Sequence, residues 1–200
     1  LPFSFERKNS SRKSNRKKEF ASIIDNNTRL LLKLVNDVLE LSRIESGNMS
    51  FHCEDCSAHH FAETVYQTHQ VIILPPVEFI KEFPDEDVTI HIDRMRLTQV
   101  ITNFLGNAKK FTSQGHIKLG YFCDKEKKEI HFFVEDTGAG IPKEELQMIF
   151  ERFYKRNEFV QGVGLGLAIS KVIVEKMNGH IDVQSEVNKG SRFTAVLPYL

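Results

Sequence analysis

The chain carries no net charge: 27 Lys plus Arg balance 27 Asp plus Glu over 200 residues. Without a global field, its composition does not draw it to nucleic acid or to an anionic membrane. Long apolar runs are missing too. The longest, "VIIL" at 71–74, stops at Pro75 and Pro76, far short of the roughly 20 apolar residues that cross a bilayer. No signal-peptide pattern opens the sequence. Cysteine is scarce and odd in number: Cys53, Cys56 and Cys123 cannot all pair within the chain, which points to a reducing, cytoplasmic setting. The remainder, 40% hydrophobic and 27% charged, suits a soluble globular domain with an extra element.

Charge is nevertheless uneven along the chain. Arg7, Lys8, Arg12, Lys13, Arg16, Lys17 and Lys18 occur with no acid among them. Aromatic residues do not interleave with them, so residues 1–16 read as a poorly ordered, solvated basic tail, with no nucleic-acid partner. In "HCEDCSAHH" a CxxC stands beside three histidines. The second pair begins only three residues after Cys56, too close for a structural zinc site, so the expectation is a strand running into a helix capped by Ser57.

Lys17 to Glu45 contains no glycine or proline. Ile24, Leu31 and Val38 recur every seven residues, and Asn27, Leu34 and Leu41 form the interleaved set, an a/d seam with one polar position. Phe20, Ile23, Leu30 and Leu39 widen the apolar face toward that of a four-helix bundle. Ser46-Gly47-Asn48 should end the helix and mark a boundary, giving a helical segment over 17–47 and a domain over 48–200.

Within that domain, "MSFHCE", "VEFIKEF", "VTIHI", "HIKLGYF", "EIHFFVED", "HIDVQSE" and "SRFTAVLP" read as strands. Helices are expected over 57–70, over 94–112 with Asp93 as cap, over 143–153, and over 164–177. Helices interspersed among hairpins predict a two-layer α/β sandwich with a mixed sheet.

Two glycine clusters bear on chemistry. "GVGLGL" (Gly162, Gly164, Gly166) fails the GxGxxG template by one residue and follows a polar loop, not a strand. No GxxxxGK[ST] occurs anywhere, so a P-loop is excluded. What remains is glycine-rich backbone, with Leu165 between the last two glycines, at the positive end of a helix dipole, where an anion can bind. Asn103, Asn107 and Lys110 fall on one face of the preceding long helix, and an amide oxygen is a hard ligand suited to magnesium. "VEDTGAGIP" ends a strand in Asp136 and then strips the side chains from Gly138 and Gly140, which suggests a close approach to backbone.

"NFLGNAKKFT", "EDTGAGIP", "IFERF", "GVGLGLAISK" and "GSRFTAVLP", in that order, resemble the N, first glycine, F, second glycine and terminal-strand boxes of sensor histidine kinases. Upstream, "KKEFASIIDNNTRLLLKLVNDVLELSRIESG" resembles the second helix of their dimerisation and phosphoacceptor hairpin. The likeness covers about residues 17–200. It implies the Bergerat α/β sandwich preceded by one long helix, with ATP and Mg2+ as ligands. Asp136 would then accept from the adenine amino group, with Gly138 and Gly140 beside the base and Thr194 as a second contact. Asn107 would hold Mg2+, with Asn103 its partner one turn earlier, and Lys110 would reach the phosphates. Residues 154–163 would form an ATP lid in which Lys155 or Arg156 meets the γ-phosphate, while Phe150 and Phe153 pack its root.

The same likeness implies a homodimer through the N-terminal helix of the full protein and transfer onward to a response-regulator receiver domain. It implies no membrane contact by these residues, whatever anchor a full-length protein carries. One departure stands out. The first histidine is His52, beyond the second hairpin helix, so the acceptor histidine is expected outside this chain. The alternatives are a nucleotide-binding scaffold and an ATP-hydrolysing clamp on the same fold. Against the clamp, Asn103 stands where those relatives place a glutamate base, and an amide takes no proton at neutral pH.

Overall fold

The computed structural model describes residues 3–155 and 163–199. The chain divides into two compact units, Leu1–Ser46 and Gly47–Leu200.

The first unit is one helix, α1 (Phe3–Glu45). It starts well before Lys17, so the stretch expected as a tail continues the helix. The reason is local: no proline or glycine lies between Pro2 and Gly47, and nothing else in the sequence breaks the backbone ladder. It ends where Gly47 takes φ +69°, a left-handed conformation that stops a helix at low cost in a residue without Cβ. Ile24, Leu31 and Val38 of the seam are exposed on this helix.

In the second unit, β1 (Glu54–Ser57) pairs antiparallel with β3 (Thr89–Ile92) as a small separate ribbon. β1 begins later than "MSFHCE" suggests because the His52 N–H is drawn off to Asp93 Oδ2 at 2.9 Å. The other oxygen of Asp93 accepts from Arg96 N at 3.0 Å and caps α3 (Arg94–Phe111). Ser57 caps α2 (Ala58–Gln70) in the same manner, accepting from His60 N at 2.9 Å. Both caps satisfy orphan donors of a first turn.

The main sheet has the order β2-β4-β5-β7-β6, built from β2 (Val77–Glu82), β4 (Gly115–Asp124), β5 (Glu129–Asp136), β7 (Gly190–Pro198) and β6 (His180–Glu186). β2 runs parallel to β4 and every other neighbour is antiparallel, so the sheet is mixed as expected. Alternation along each strand sends Ile117, Leu119, Tyr121, Phe132, Val134, Phe193 and Ala195 to one face, and all seven are buried. The helices pack there: Phe61 of α2 meets Phe132 edge-on at 5.3 Å, and Phe104 of α3 meets Phe193 at 5.4 Å. The opposite face carries Glu82, Lys118, Glu135 and Arg192 in ion pairs.

The helix expected over 143–153 is two single 3-10 turns, Lys143–Glu145 and Met148–Phe150. Glu151 is extended and Phe153 takes φ +63°, its N–H donating to Gly164 O at 2.9 Å. That tether across the glycine loop overrides the modest helix propensity of the segment. After the loop, α4 (Gly166–Lys176) packs against α3.

Candidate functional site

Asp136 is the last residue of β5, on the helix-covered face of the sheet, and 7% exposed. Its Oδ1 accepts from Gly138 N at 2.8 Å and from the Thr112 hydroxyl at 3.4 Å. Burial pushes the carboxyl above its ordinary range, and the Gly138 N–H, the Thr112 hydroxyl and the Ser191 backbone offset part of that. An acid is thus held rigidly in a place that disfavours its charge. Such an arrangement makes a poor structural device and a good recognition group.

The glycines after it face the protein's own backbone. A Cβ on Gly138 would run into Phe111 O, at the end of α3, and one on Gly140 would meet Glu186 O at the β6–β7 turn. Ala139 N donates to Phe111 O at 3.2 Å, and Asn188 N donates to Ala139 O at 2.9 Å. These close passages knit the strand end to α3 on one side and to the hairpin on the other. They give the two glycines a structural reason independent of any ligand.

Asn103 and Asn107 are half-buried on α3, with Lys110 exposed one turn further on. Asn103 Nδ2 donates to Ser170 Oγ of α4 at 3.0 Å, and a Cβ on Gly166 would strike Asn103 Oδ1. The amide face of α3 therefore meets the start of α4. The N-cap of α4 is the fully buried Leu165, whose side chain gives the helix no capping hydrogen bond. Gly164 takes φ +78°, and a Cβ there would press on Tyr154 O. Lys110 Nζ lies 5.1 Å from the centre of the Phe111 ring. Lys155 is the last described residue before the glycine loop; Arg156 and Gly162 lie outside the described residues. Phe153 is exposed and holds the root of the loop through its backbone, while Lys171 lies over Phe150.

Thr194 is not part of this group. The β5–β7 register pairs Asp136 with Ser191 and Phe133 with Thr194. Three residues apart on a strand, Ser191 and Thr194 point to opposite faces, so Thr194 lies on the ion-paired face away from Asp136. Ser191 and Thr112 are the polar neighbours that sequence reading missed. The strand alternation starting from Asp136 would have favoured Ser191, once the register was known.

The model of the histidine kinase-, DNA gyrase B- and HSP90-like ATPases matches residues 92–200, more than half of the chain. The chain belongs to that family. Asp136 and the Gly138–Gly140 turn, the amide face of α3 and the glycine loop before α4 all fall inside the matched residues. Among curated relatives, sensor histidine kinase WalK of Bacillus subtilis is 34% identical over 185 residues, covering 90% of this chain and 30% of that protein. Sensor histidine kinase RcsC of Escherichia coli K12 is 36% identical over 181 residues, covering 88% of this chain and 19% of that one. This chain therefore spans under a third of the length of either relative.

Solved structures agree. Full-length ShkA in complex with AMPPNP superposes with TM-score 0.76 at 31% identity, covering 84% of this chain and 36% of that one. The catalytic domain of histidine kinase ThkA gives TM-score 0.66 at 28% identity, over 76% of this chain and 97% of that one. The matched residues thus belong to a histidine kinase-type ATP-binding catalytic domain, and the mixed sheet with its helices on one face is that domain's architecture. Among the described residues, no helix is long and apolar enough to cross a membrane.

Proposed function

We propose that the chain is the catalytic portion of a sensor histidine kinase, which binds ATP with Mg2+ and presents the γ-phosphoryl to a histidine on a dimerisation helix outside these residues. The observation that carries this reading is the buried Asp136 carboxylate, oriented by Gly138 and Thr112 at the end of β5. A fixed carboxylate accepts from the exocyclic amino group of adenine, whereas the carbonyl of guanine meets it as a like pole. Ser191, its register partner, stands beside it in place of Thr194.

The donor set on α3 and α4 fits a nucleotide's phosphates. Asn107 offers a neutral oxygen of the type Mg2+ takes, Lys110 a cation, and the N-terminus of α4, where Leu165 brings no capping side chain, its backbone donors. Mg2+, when bound, would spread and neutralise charge on the phosphate oxygens. Lys155 stands at the edge of the loop for the γ-phosphate. The chain's part in the chemistry is positioning and charge neutralisation; the incoming imidazole nitrogen supplies its own lone pair and needs no base. Asn103, already donating to Ser170, is an amide with no proton-accepting ability toward water, which favours kinase over hydrolase.

The exposed seam of α1 fits pairing with a second copy, and a receiver-domain aspartate is the acceptor that the sensor histidine kinase relatives suggest. Both are parts of the proposal, as is a cytoplasmic location.

Incubation with γ-labelled ATP tests it. The 200-residue chain alone should remain unlabelled and turn over ATP slowly. Addition of a protein bearing a complete acceptor hairpin should produce an acid-labile label on a histidine of the added protein, slowly because the reaction is now bimolecular. Rapid turnover by the chain alone would favour the hydrolase reading instead.

A further inference from the structure

At the far end of β5 from Asp136, about 23 Å away along seven residue steps, a second group of functional side chains gathers at the β4–β5 hairpin tip. Asp124 and Glu129 face each other in register, and His131 follows two residues later on the same face. One ligand atom from each lies within 4.8 Å of the others. We propose that Asp124, Glu129 and His131 bind a first-row divalent transition metal ion, of which Zn2+ is the best fit.

The histidine distinguishes this group from an ordinary surface patch of acids. Its Nε2 is closed off from solvent and has no hydrogen-bond partner, a costly condition for an imidazole nitrogen. It faces Glu129 Oε2 at 3.5 Å. The ring is fixed by stacking on Phe122, with centroids 4.5 Å apart and planes 12° apart. A cation between Nε2 and the carboxylates would take up the lone pair and both negative charges at once.

Asp124 is also held in place. Its Oδ1 accepts from Glu126 N and Lys127 N, both at 3.1 Å, which leaves Oδ2 as the ligand atom. The competitor for Oδ2 is Lys127 Nζ at 3.7 Å, on a side chain 69% exposed. So weak and mobile a pair gives way to a divalent ion. One nitrogen and two oxygens, with water completing the shell, suit Zn2+ and its neighbours; Mg2+ prefers oxygen alone and takes imidazole poorly. Nothing in the nucleotide reading uses these residues, so the proposal stands apart from it.

Titration calorimetry with Zn2+ on the metal-stripped chain tests the site. A Cys53→Ser/Cys56→Ser background removes the thiols as alternative ligands. One ion per chain should bind, and millimolar Mg2+ should not compete. Glu129→Gln, isosteric and at a half-exposed position, should weaken binding at least about tenfold, as should His131→Asn. Circular dichroism of both variants checks that the fold is intact. Zinc binding of equal strength in Glu129→Gln and its parent, or no binding of Zn2+ at all, overturns the proposal.

Discussion

The side-chain amide of Asn103 donates to Ser170 Oγ at 3.0 Å, tying α3 to α4 directly beneath the close approach of Gly166. Ser170 is 1% exposed, so its hydroxyl has little water to turn to if the amide is lost. Ser170→Ala should cost about 1 kcal/mol in urea unfolding. Gly166→Ala should weaken the same bond, because its Cβ displaces the amide, at a cost partly offset by the smaller backbone freedom alanine loses on folding. The two changes act on one side chain, so the double variant should lose less than the sum of the singles. Full additivity would show that the amide does not couple them.

Asp136 should destabilise the ligand-free protein at neutral pH. Burial raises its folded-state pKa. The native state therefore holds the proton more firmly than the unfolded chain, and stability is lost as pH rises from the unfolded to the folded value. Asp136→Asn carries no charge to bury, and its Oδ1 can still accept from Gly138. Its melting temperature without nucleotide should exceed that of the parent at pH 8, and the gap should narrow as pH falls toward the carboxylate range. A gap that is absent, or that widens on acidification, contradicts the assignment.

The α1 seam makes a prediction about association. Ile24, Leu31 and Leu34 are 65%, 62% and 37% exposed, an apolar stripe too long for a solvated helix to tolerate unpaired. Sedimentation should show a weak, concentration-dependent dimer. Leu31→Asp with Leu34→Asp should leave a monomer. A clean monomer in the parent at high concentration counts against the stripe as a pairing surface.

Where the sequence was informative, the signal was local and strong. Ser57 and Asp93 announce α2 and α3 because an N-cap is a property of a few adjacent residues. Ile117, Lys118 and Leu119 alternate because the first and third face the helices, whereas the alternation lapses at Phe132-Phe133-Val134, where both faces of the sheet are buried. Misreadings came from contacts distant in sequence. β1 shifts because His52 N bonds Asp93, 41 residues away. The 143–153 helix breaks up because Phe153 is tethered to Gly164. Ser191 rather than Thr194 neighbours Asp136 because register, which composition does not encode, decides which residue lies opposite. The glycines after Asp136 mark a close approach in the sequence, but only the fold shows that the approaching groups are Phe111 O and Glu186 O.

Binding of ATP against GTP, by fluorescence or calorimetry, tests the account most directly. The chain should bind ATP in preference to GTP. Asp136→Asn should weaken ATP binding by about 1.5–3 kcal/mol, the loss expected for a charge-assisted hydrogen bond, and should shrink the preference for ATP. Unchanged ATP affinity in the Asp136→Asn protein, with its selectivity over GTP intact, would mean that the buried carboxylate at the end of β5 does not read adenine.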